Sequence, residues 1–220
     1  MKINEMNIVI TGANGSVASV LMEYFSGRAA FVAGTVRQLA NNVEQKNSAI
    51  IEMDPLDHHS IANATSLIND EAGDIHVWMN VVGGFTMGSH IEENNDAWNY
   101  MYNTNFMTAL NCCQQILPKM KYAGWGRIIN MGSQSATRGM PLAGAYCSSK
   151  SAVHTLTKII ALENGGGVTC NAILPGIIDA PVNCKQMPCA DHANWIASRQ
   201  IAVQIEGLLL SDENGALIHL

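Results

Sequence analysis

Asn7-Ile8-Val9-Ile10-Thr11-Gly12-Ala13-Asn14-Gly15-Ser16-Val17-Ala18 joins three local signals in one stretch. The first five residues form a short apolar run closed by glycine, which reads as a buried strand. Gly12 and Gly15 mark a tight turn. Behind them Val17, Val20, Leu21 and Tyr24 recur at i, i+3, i+4 and i+7, the apolar stripe of an amphipathic helix. A strand that feeds through a glycine turn into a helix is the start of a βαβ unit.

The rest of the chain repeats that alternation. Strands are expected at 30–35, 48–53, 75–82, 127–131, 168–174 and 216–219. Helices are expected at 57–69, from 95 towards 120, at 142–163 and at 197–210. Residues 177–195, interrupted by Pro181 and Pro188, read as irregular, with 175–195 as a loop or lid over a substrate site. Strand–helix alternation implies a parallel sheet with helices on both faces. The expected fold is therefore α/β: one Rossmann-like, doubly wound domain over residues 1–220, with about seven parallel strands. In such folds ligands bind at the carboxyl ends of the strands, where the turns after strands one, four, five and six converge.

Composition narrows the function. Of 220 residues, 48% are hydrophobic and 14% charged, which suits strands buried on both faces. The formal net charge of −6, without a Lys/Arg cluster, argues against a nucleic-acid or anionic-membrane partner. No apolar run is long enough to span a bilayer, and the first residues do not resemble a secretory signal, so a cytoplasmic location is expected. The six cysteines, Cys112, Cys113, Cys147, Cys170, Cys184 and Cys189, match no zinc spacing and are expected to be reduced and structural. No metal site is expected.

The first turn suits a pyrophosphate. Glycines let the backbone come close, and the helix N-terminus offers N–H groups and partial positive charge. Gly12, Asn14, Gly15, Ser16 and Val17 are the candidates, although glycine-serine turns between strand and helix are common. After the second strand, sites that prefer NAD place an acid to bond the ribose hydroxyls. Here that place holds Val36, followed by Arg37. A guanidinium matches a 2′-phosphate in charge and geometry, so NADP(H) is favoured over NAD(H). An ordinary solvated arginine at a strand end is the alternative.

Tyr146 and Lys150 are four residues apart and share one helix face. Ser133 stands on the turn leaving strand five, and Asn105 lies inside the preceding long helix. With TGANGSVA, NVVGG at 80–84, TNFMTAL at 104–110, IINMGSQSATRG at 128–139, AYCSSK at 145–150 and ILPGIIDAP at 173–181, the chain resembles the short-chain dehydrogenase/reductase family over nearly its whole length. The resemblance implies a catalytic tetrad of Asn105, Ser133, Tyr146 and Lys150. It implies hydride transfer between nicotinamide and a carbonyl/alcohol pair, with Tyr146 as general acid–base, Lys150 lowering its pKa and holding the ribose, Ser133 bonding the substrate oxygen, and Asn105 holding a relay water. It adds Asp54, Asn80, Gly83, Pro175, Gly176 and Ile178 to the cofactor contacts.

The chain departs from the family pattern in two places. The usual first turn reads TGxxxGxG, but Ser16 and Ala18 replace the later glycines and Gly15 sits one place early. The fourth-strand NNAG is Asn80-Val81-Val82-Gly83. The Val81-x-Gly83-Gly84 form also looks like the dihydropteridine reductase branch, which would favour NADH, while the eroded motifs leave open a non-catalytic dinucleotide-binding sensor or scaffold.

The expected substrate is a small carbonyl or alcohol, mostly apolar, since Phe85, Met87, Met140, Pro141, Leu142, Ile178, Val182, Met187 and Trp195 fall near the site. A homodimer or homotetramer is implied through the two long helices, with Ala109, Cys112, Cys113, Ile116, Ala152, Leu156, Ile159 and Ile160 as the candidate face. The same residues could instead face the sheet.

Overall fold

The computed structural model describes residues 1–39, 47–88 and 95–220. Seven parallel strands form one sheet in the order β3-β2-β1-β4-β5-β6-β9. They are β1 (Asn7–Thr11), β2 (Phe31–Val36), β3 (Ser48–Glu52), β4 (Val77–Asn80), β5 (Gly126–Met131), β6 (Val168–Leu174) and β9 (Leu217–His219). Every residue of β1, β2, β4, β5 and β6 is buried. A strand covered on both faces cannot alternate polar and apolar residues, which is why these strands read as continuous apolar runs.

Two cores flank the sheet. On one side α1 (Ser16–Ser26) and α8 (Ser198–Leu209) bury Leu21, Phe25, Ile201 and Ile205 against Ile8, Ile10 and Met79. On the other, α2 (His58–Ala72), α4 (Thr108–Ala123) and α6 (Gly144–Glu163) bury Ile61, Ile68, Ile116 and Ile160 against Val9, Trp78 and Ile128. The sheet order reverses beside β1, with β2 on one side and β4 on the other. That junction is where such sheets hold ligands.

The sequence led us to expect one helix from residue 95 towards 120. Instead α3 (Asn95–Tyr102) and α4 are joined by a π-helical turn, Asn103–Met107. The segment 177–195 is also more ordered than expected. It contains β7 (Ile178–Asp179), α7 (Pro181–Gln186) and a 3-10 turn, His192–Asn194. β7 pairs in parallel with β8 (Ile196–Ala197), pinning the two ends of this excursion together. A short α5 (Ser135–Arg138) follows β5.

Of the residues expected on a pairing face, Ala109, Cys112, Cys113, Ile116 and Ile160 point into the core instead. On α4 and α6, Tyr122, Ile159 and Leu162 are the large apolar groups exposed outward. Cys112, Cys113, Cys147 and Cys170 are buried free thiols. Burial pushes Cys113 up to about 12 and raises Cys112 and Cys170 as well, so these three are poor nucleophiles. Among the described residues no helix is long and apolar enough to cross a membrane, and no cluster of three or more His, Cys, Asp or Glu could hold a metal.

Candidate active site

The turn after β1 is shaped by two glycines. Gly12 adopts φ +72°, and a Cβ there would press on Val82 Cγ2 at 3.0 Å. Its carbonyl accepts from Gly15 N at 2.8 Å, which closes the turn. The displaced Gly15 is the N-cap of α1, so Ser16 becomes the first helical residue. The helix still presents its N-terminal N–H groups to the turn. Gly34 on β2 was not anticipated. A Cβ there would lie 2.7 Å from Ala13 Cβ, so glycine lets the turn settle against β2. Thr11 is a second unanticipated contributor. Its Oγ1 accepts from Val81 N at 2.9 Å and Val82 N at 3.2 Å, holding the end of β4 to the end of β1.

These turns surround a cavity of about 800 Å³ whose wall includes Gly12, Asn14, Gly15, Arg37, Asp54 and Gly83. Gln38, which sequence reading missed, lines it beside Arg37. The acid on this wall comes from the end of β3 and not from β2. Asp54 Oδ1 accepts from Leu56 N at 2.9 Å, steadying the turn into α2. A glycine-edged cleft of this size at the sheet's reversal point, with a helix N-terminus on its wall, fits a dinucleotide.

Val17, Asn80, Pro175, Gly176 and Ile178 are not among the residues that line this cavity. Val17 is buried in the core, so its side chain cannot line the cleft. The Asn80 side chain is likewise engaged away from the cleft, while its backbone closes the carboxyl end of β4. The side chain turns beneath the sheet, accepting from Trp78 Nε1 at 2.9 Å and donating to Asn130 Oδ1 at 2.8 Å and to Cys113 Sγ. Pro175 is buried with its carbonyl accepting from Gln134 N, and Gly176 N donates to the carbonyl of Leu220. Ile178 opens β7 and packs on the core.

The four residues of the expected tetrad lie around the ends of β4 and β5. Lys150 is buried, and its Nζ donates to the Met131 carbonyl at 2.8 Å. Burial lowers its pKa to about 8. Asn105 sits in the π-helical turn, a feature that often marks functional sites. Its Oδ1 accepts from Gly84 N at 2.9 Å, and its Nδ2 donates to Gly84 O at 3.1 Å and Ser149 Oγ at 3.0 Å. Ser149, also missed in the sequence, donates its own hydroxyl to the Tyr146 carbonyl at 2.8 Å. Asn105 is thus tied both to the Gly83-Gly84 turn and to the helical turn between Tyr146 and Lys150.

Gly83 is where these groups meet. A Cβ there would lie 2.9 Å from Asn105 Oδ1 and 3.1 Å from Lys150 Nζ. Gly83→Ala is therefore expected to push both side chains aside, costing about 1–3 kcal/mol. Steady-state kinetics should show a loss of roughly 10–100-fold in kcat/KM with the circular dichroism spectrum unchanged. An alanine variant of wild-type efficiency would mean that this crowding has no catalytic consequence.

Tyr146 is half-buried, with the Phe85 ring edge-on at 4.9 Å. Burial holds its phenol above the ordinary value, and the neighbouring Ser133 hydroxyl pulls in the opposite direction. In this state the hydroxyl keeps its proton. Ser133 is buried on the turn leaving β5, and its Oγ accepts from Ser135 N at 3.2 Å.

Residues 6–188 match the short chain dehydrogenase family model. The chain belongs to the short-chain dehydrogenase family. It is therefore an NAD(P)-dependent oxidoreductase of the kind that interconverts alcohol and carbonyl groups. It is 27% identical over 174 residues to a D-beta-hydroxybutyrate dehydrogenase of Rhizobium meliloti, spanning 77% of this chain and 67% of that protein. It is 30% identical over 156 residues to a 3-ketodihydrosphingosine reductase of Bacteroides thetaiotaomicron, spanning 71% of this chain and 57% of that one. In fold it is similar to the ligand-free aldohexose dehydrogenase of Thermoplasma acidophilum, with TM-score 0.88, 21% identity, and 99% and 93% of the two chains covered. It is also similar to ElxO, solved with NADP bound, with TM-score 0.89, 23% identity, and 100% and 97% covered.

Proposed function

We propose that this short-chain dehydrogenase moves a hydride between NADP(H) and a mostly apolar carbonyl/alcohol substrate, with Tyr146 as the general acid–base. The observation that carries the reading is the convergence of Tyr146, Ser133, Lys150 and Asn105 beside a glycine-edged cleft. Gly12, Asn14, Gly15 and the first turn of α1, from Ser16, would hold the pyrophosphate, Arg37 and Gln38 the 2′-phosphate, Asp54 the adenosine end, and Lys150 the nicotinamide ribose. The chemistry such a cofactor supplies is hydride transfer at the substrate carbon.

The chain's own residues handle the proton. In reduction, Tyr146 donates its phenolic proton to the forming alkoxide, and Ser133 donates a hydrogen bond to the same oxygen. Lys150, carried one helical turn from Tyr146, stabilises the phenolate left behind. Asn105 fixes the Gly83-Gly84 turn against Lys150 and keeps the relay end of the site in register. Phe85, Met87 and Leu142 are exposed at this mouth, and Gly88 N donates to the Leu142 carbonyl at 2.8 Å, joining two sides of the opening. These three side chains offer a substrate apolar contact. The excursion from β7 to β8 would fold over it. A cytoplasmic enzyme that assembles as a dimer or tetramer through α4 and α6 completes this reading.

The cofactor choice rests on Arg37 and on the absence of an acid where β2 ends. Fluorescence titration should show tighter binding of NADPH than of NADH. Arg37→Ala should weaken NADPH by roughly 10–100-fold, the loss of one charge-assisted contact, and leave NADH nearly unchanged. Tighter binding of NADH by the wild-type protein would overturn the preference. A panel of aliphatic, cyclic and aryl ketones and aldehydes, assayed with NADPH, tests the activity itself.

A further inference from the structure

Tyr146, Lys150 and His154 follow one another at intervals of four along α6, so the helix turns all three towards the end of β5. The tetrad uses the first two. His154 is 7% exposed and has no part in the chemistry described above. Its Nε2 accepts from the Ser133 backbone N–H at 3.2 Å. The preceding residue is glycine for the same reason. A Cβ on Gly132 would lie 2.5 Å from His154 Nε2 and 2.9 Å from Leu174 Cδ1. The imidazole therefore presses directly on the backbone of the turn that presents Ser133.

An acceptor nitrogen must be unprotonated, so this contact needs the neutral ring with its proton on Nδ1. The surroundings enforce neutrality. Burial lowers the pKa of His154 to about 4, and Lys150, His219 and Lys158 all push the same way. Lys150 and Lys158 lie on its own helix and His219 on β9, while Gly132 and Leu174 bring no charge. Meanwhile Ser133 Oγ accepts from Ser135 N. With its backbone held by the imidazole and its oxygen held by Ser135, the serine has its hydroxyl proton left to donate.

We propose that His154 is a positioning residue for the Ser133–Tyr146 pair: its neutral imidazole, by accepting the Ser133 N–H, locks the β5–α5 turn to α6 and so aims the Ser133 hydroxyl at the reacting oxygen. The proposal rests on the reading of Ser133 as the residue that bonds that oxygen. It adds a third member to the Tyr146–Lys150 face, acting through the serine without touching substrate.

Two measurements test it. In ¹⁵N-labelled protein at pH 7, the His154 Nε2 resonance should fall in the unprotonated range and show coupling across the hydrogen bond to the Ser133 amide nitrogen. A protonated Nε2 at pH 7 would overturn the proposal, whatever the fate of any variant. With the most rapidly reduced ketone of the panel and NADPH, His154→Leu should lose about 10–100-fold in kcat, the scale of a small misplacement of a reacting group. KM and cofactor affinity should stay near wild type. His154→Gln, which restores an acceptor, should recover most of that loss. A folded leucine variant with wild-type kcat, or a glutamine variant as impaired as leucine, would contradict it. If Tyr146→Phe abolishes turnover while His154→Leu does not, the present proposal alone fails; if neither affects turnover, the proposed function itself fails.

Discussion

Tyr146→Phe should lower turnover by about 10²–10⁴-fold, the range for losing a positioned general acid, while NADPH affinity changes little. The substitution removes one oxygen and leaves the ring, so the edge-on packing against Phe85 survives. The phenol is the protonated group held beside Ser133, and on the proposed mechanism its loss would leave the forming alkoxide without its proton donor. The pH profile should change with it. Burial keeps the phenol protonated well above neutrality in the ligand-free protein, so oxidation of an alcohol, which needs phenolate, should rise as pH increases. Reduction, which needs phenol, should fall over the same range. Steady-state rates in both directions, with tryptophan-quenching titrations of NADPH, measure all of this. A phenylalanine variant with ordinary turnover would remove Tyr146 from the mechanism.

Lys150→Met is expected to do two opposite things. Turnover should fall by a factor comparable with the tyrosine change, because on the proposed mechanism the variant would lose both the ammonium that stabilises the phenolate and the ribose contact. Stability should rise. A pKa lowered to about 8 by burial means that the fold tolerates the ammonium poorly. The ordinary lysine value is near 10.4. Between about 8 and 10.4 the unfolded chain holds more protons than the folded one, so the wild-type protein gains stability as pH rises through that window. Below it, the folded protein carries the whole cost of the buried charge, on the order of 3 kcal/mol.

Methionine removes that cost at pH 7 but forfeits the hydrogen bond to the Met131 carbonyl, about 1 kcal/mol. The net gain is about 1–2 kcal/mol, or roughly 2–8 °C in Tm for a chain of this size. At pH 10 the wild-type amine is mostly neutral and the gain should shrink towards zero. Calorimetry at the two pH values separates this from generic stabilisation. A methionine variant less stable at pH 7, or equally stabilised at both, would contradict the burial argument. On the proposed mechanism, function would be what keeps this unfavourable charge in the interior.

The parts of the fold that were legible in the sequence are those fixed by local pattern. β1 and its turn could be read because β-branched and apolar residues run unbroken to Gly12, and a helical stripe begins five residues later. Tyr146 and Lys150 could be read because a spacing of four fixes a shared helix face wherever the helix packs. The π-helical turn at Asn103–Met107 could not, since it alters hydrogen-bond register without disturbing the apolar period enough to show. The β7–β8 pair was hidden because each strand has only two residues, too few to establish an alternation.

The contacts that crowd the site were equally invisible. Gly34, Gly83 and Gly132 are glycines because Ala13, Lys150 and His154 approach them from distant segments. Ser149 and His154 look like ordinary helix residues until α6 is laid against the ends of β4 and β5. The surroundings of the Asn80 side chain were hidden in the same way. The motif pointed to the cofactor, and the strand's pleat sends the amide beneath the sheet, where Trp78 and Asn130 satisfy it.

A crystal structure of the protein soaked with NADP⁺ tests the central claim most directly. The expected result is adenosine in the cleft between Gly12, Arg37 and Asp54, and nicotinamide beside Tyr146, with its ribose on Lys150 Nζ. Nucleotide bound elsewhere, or bound in that cleft with the Tyr146 hydroxyl turned away from the pyridine ring, would contradict the account.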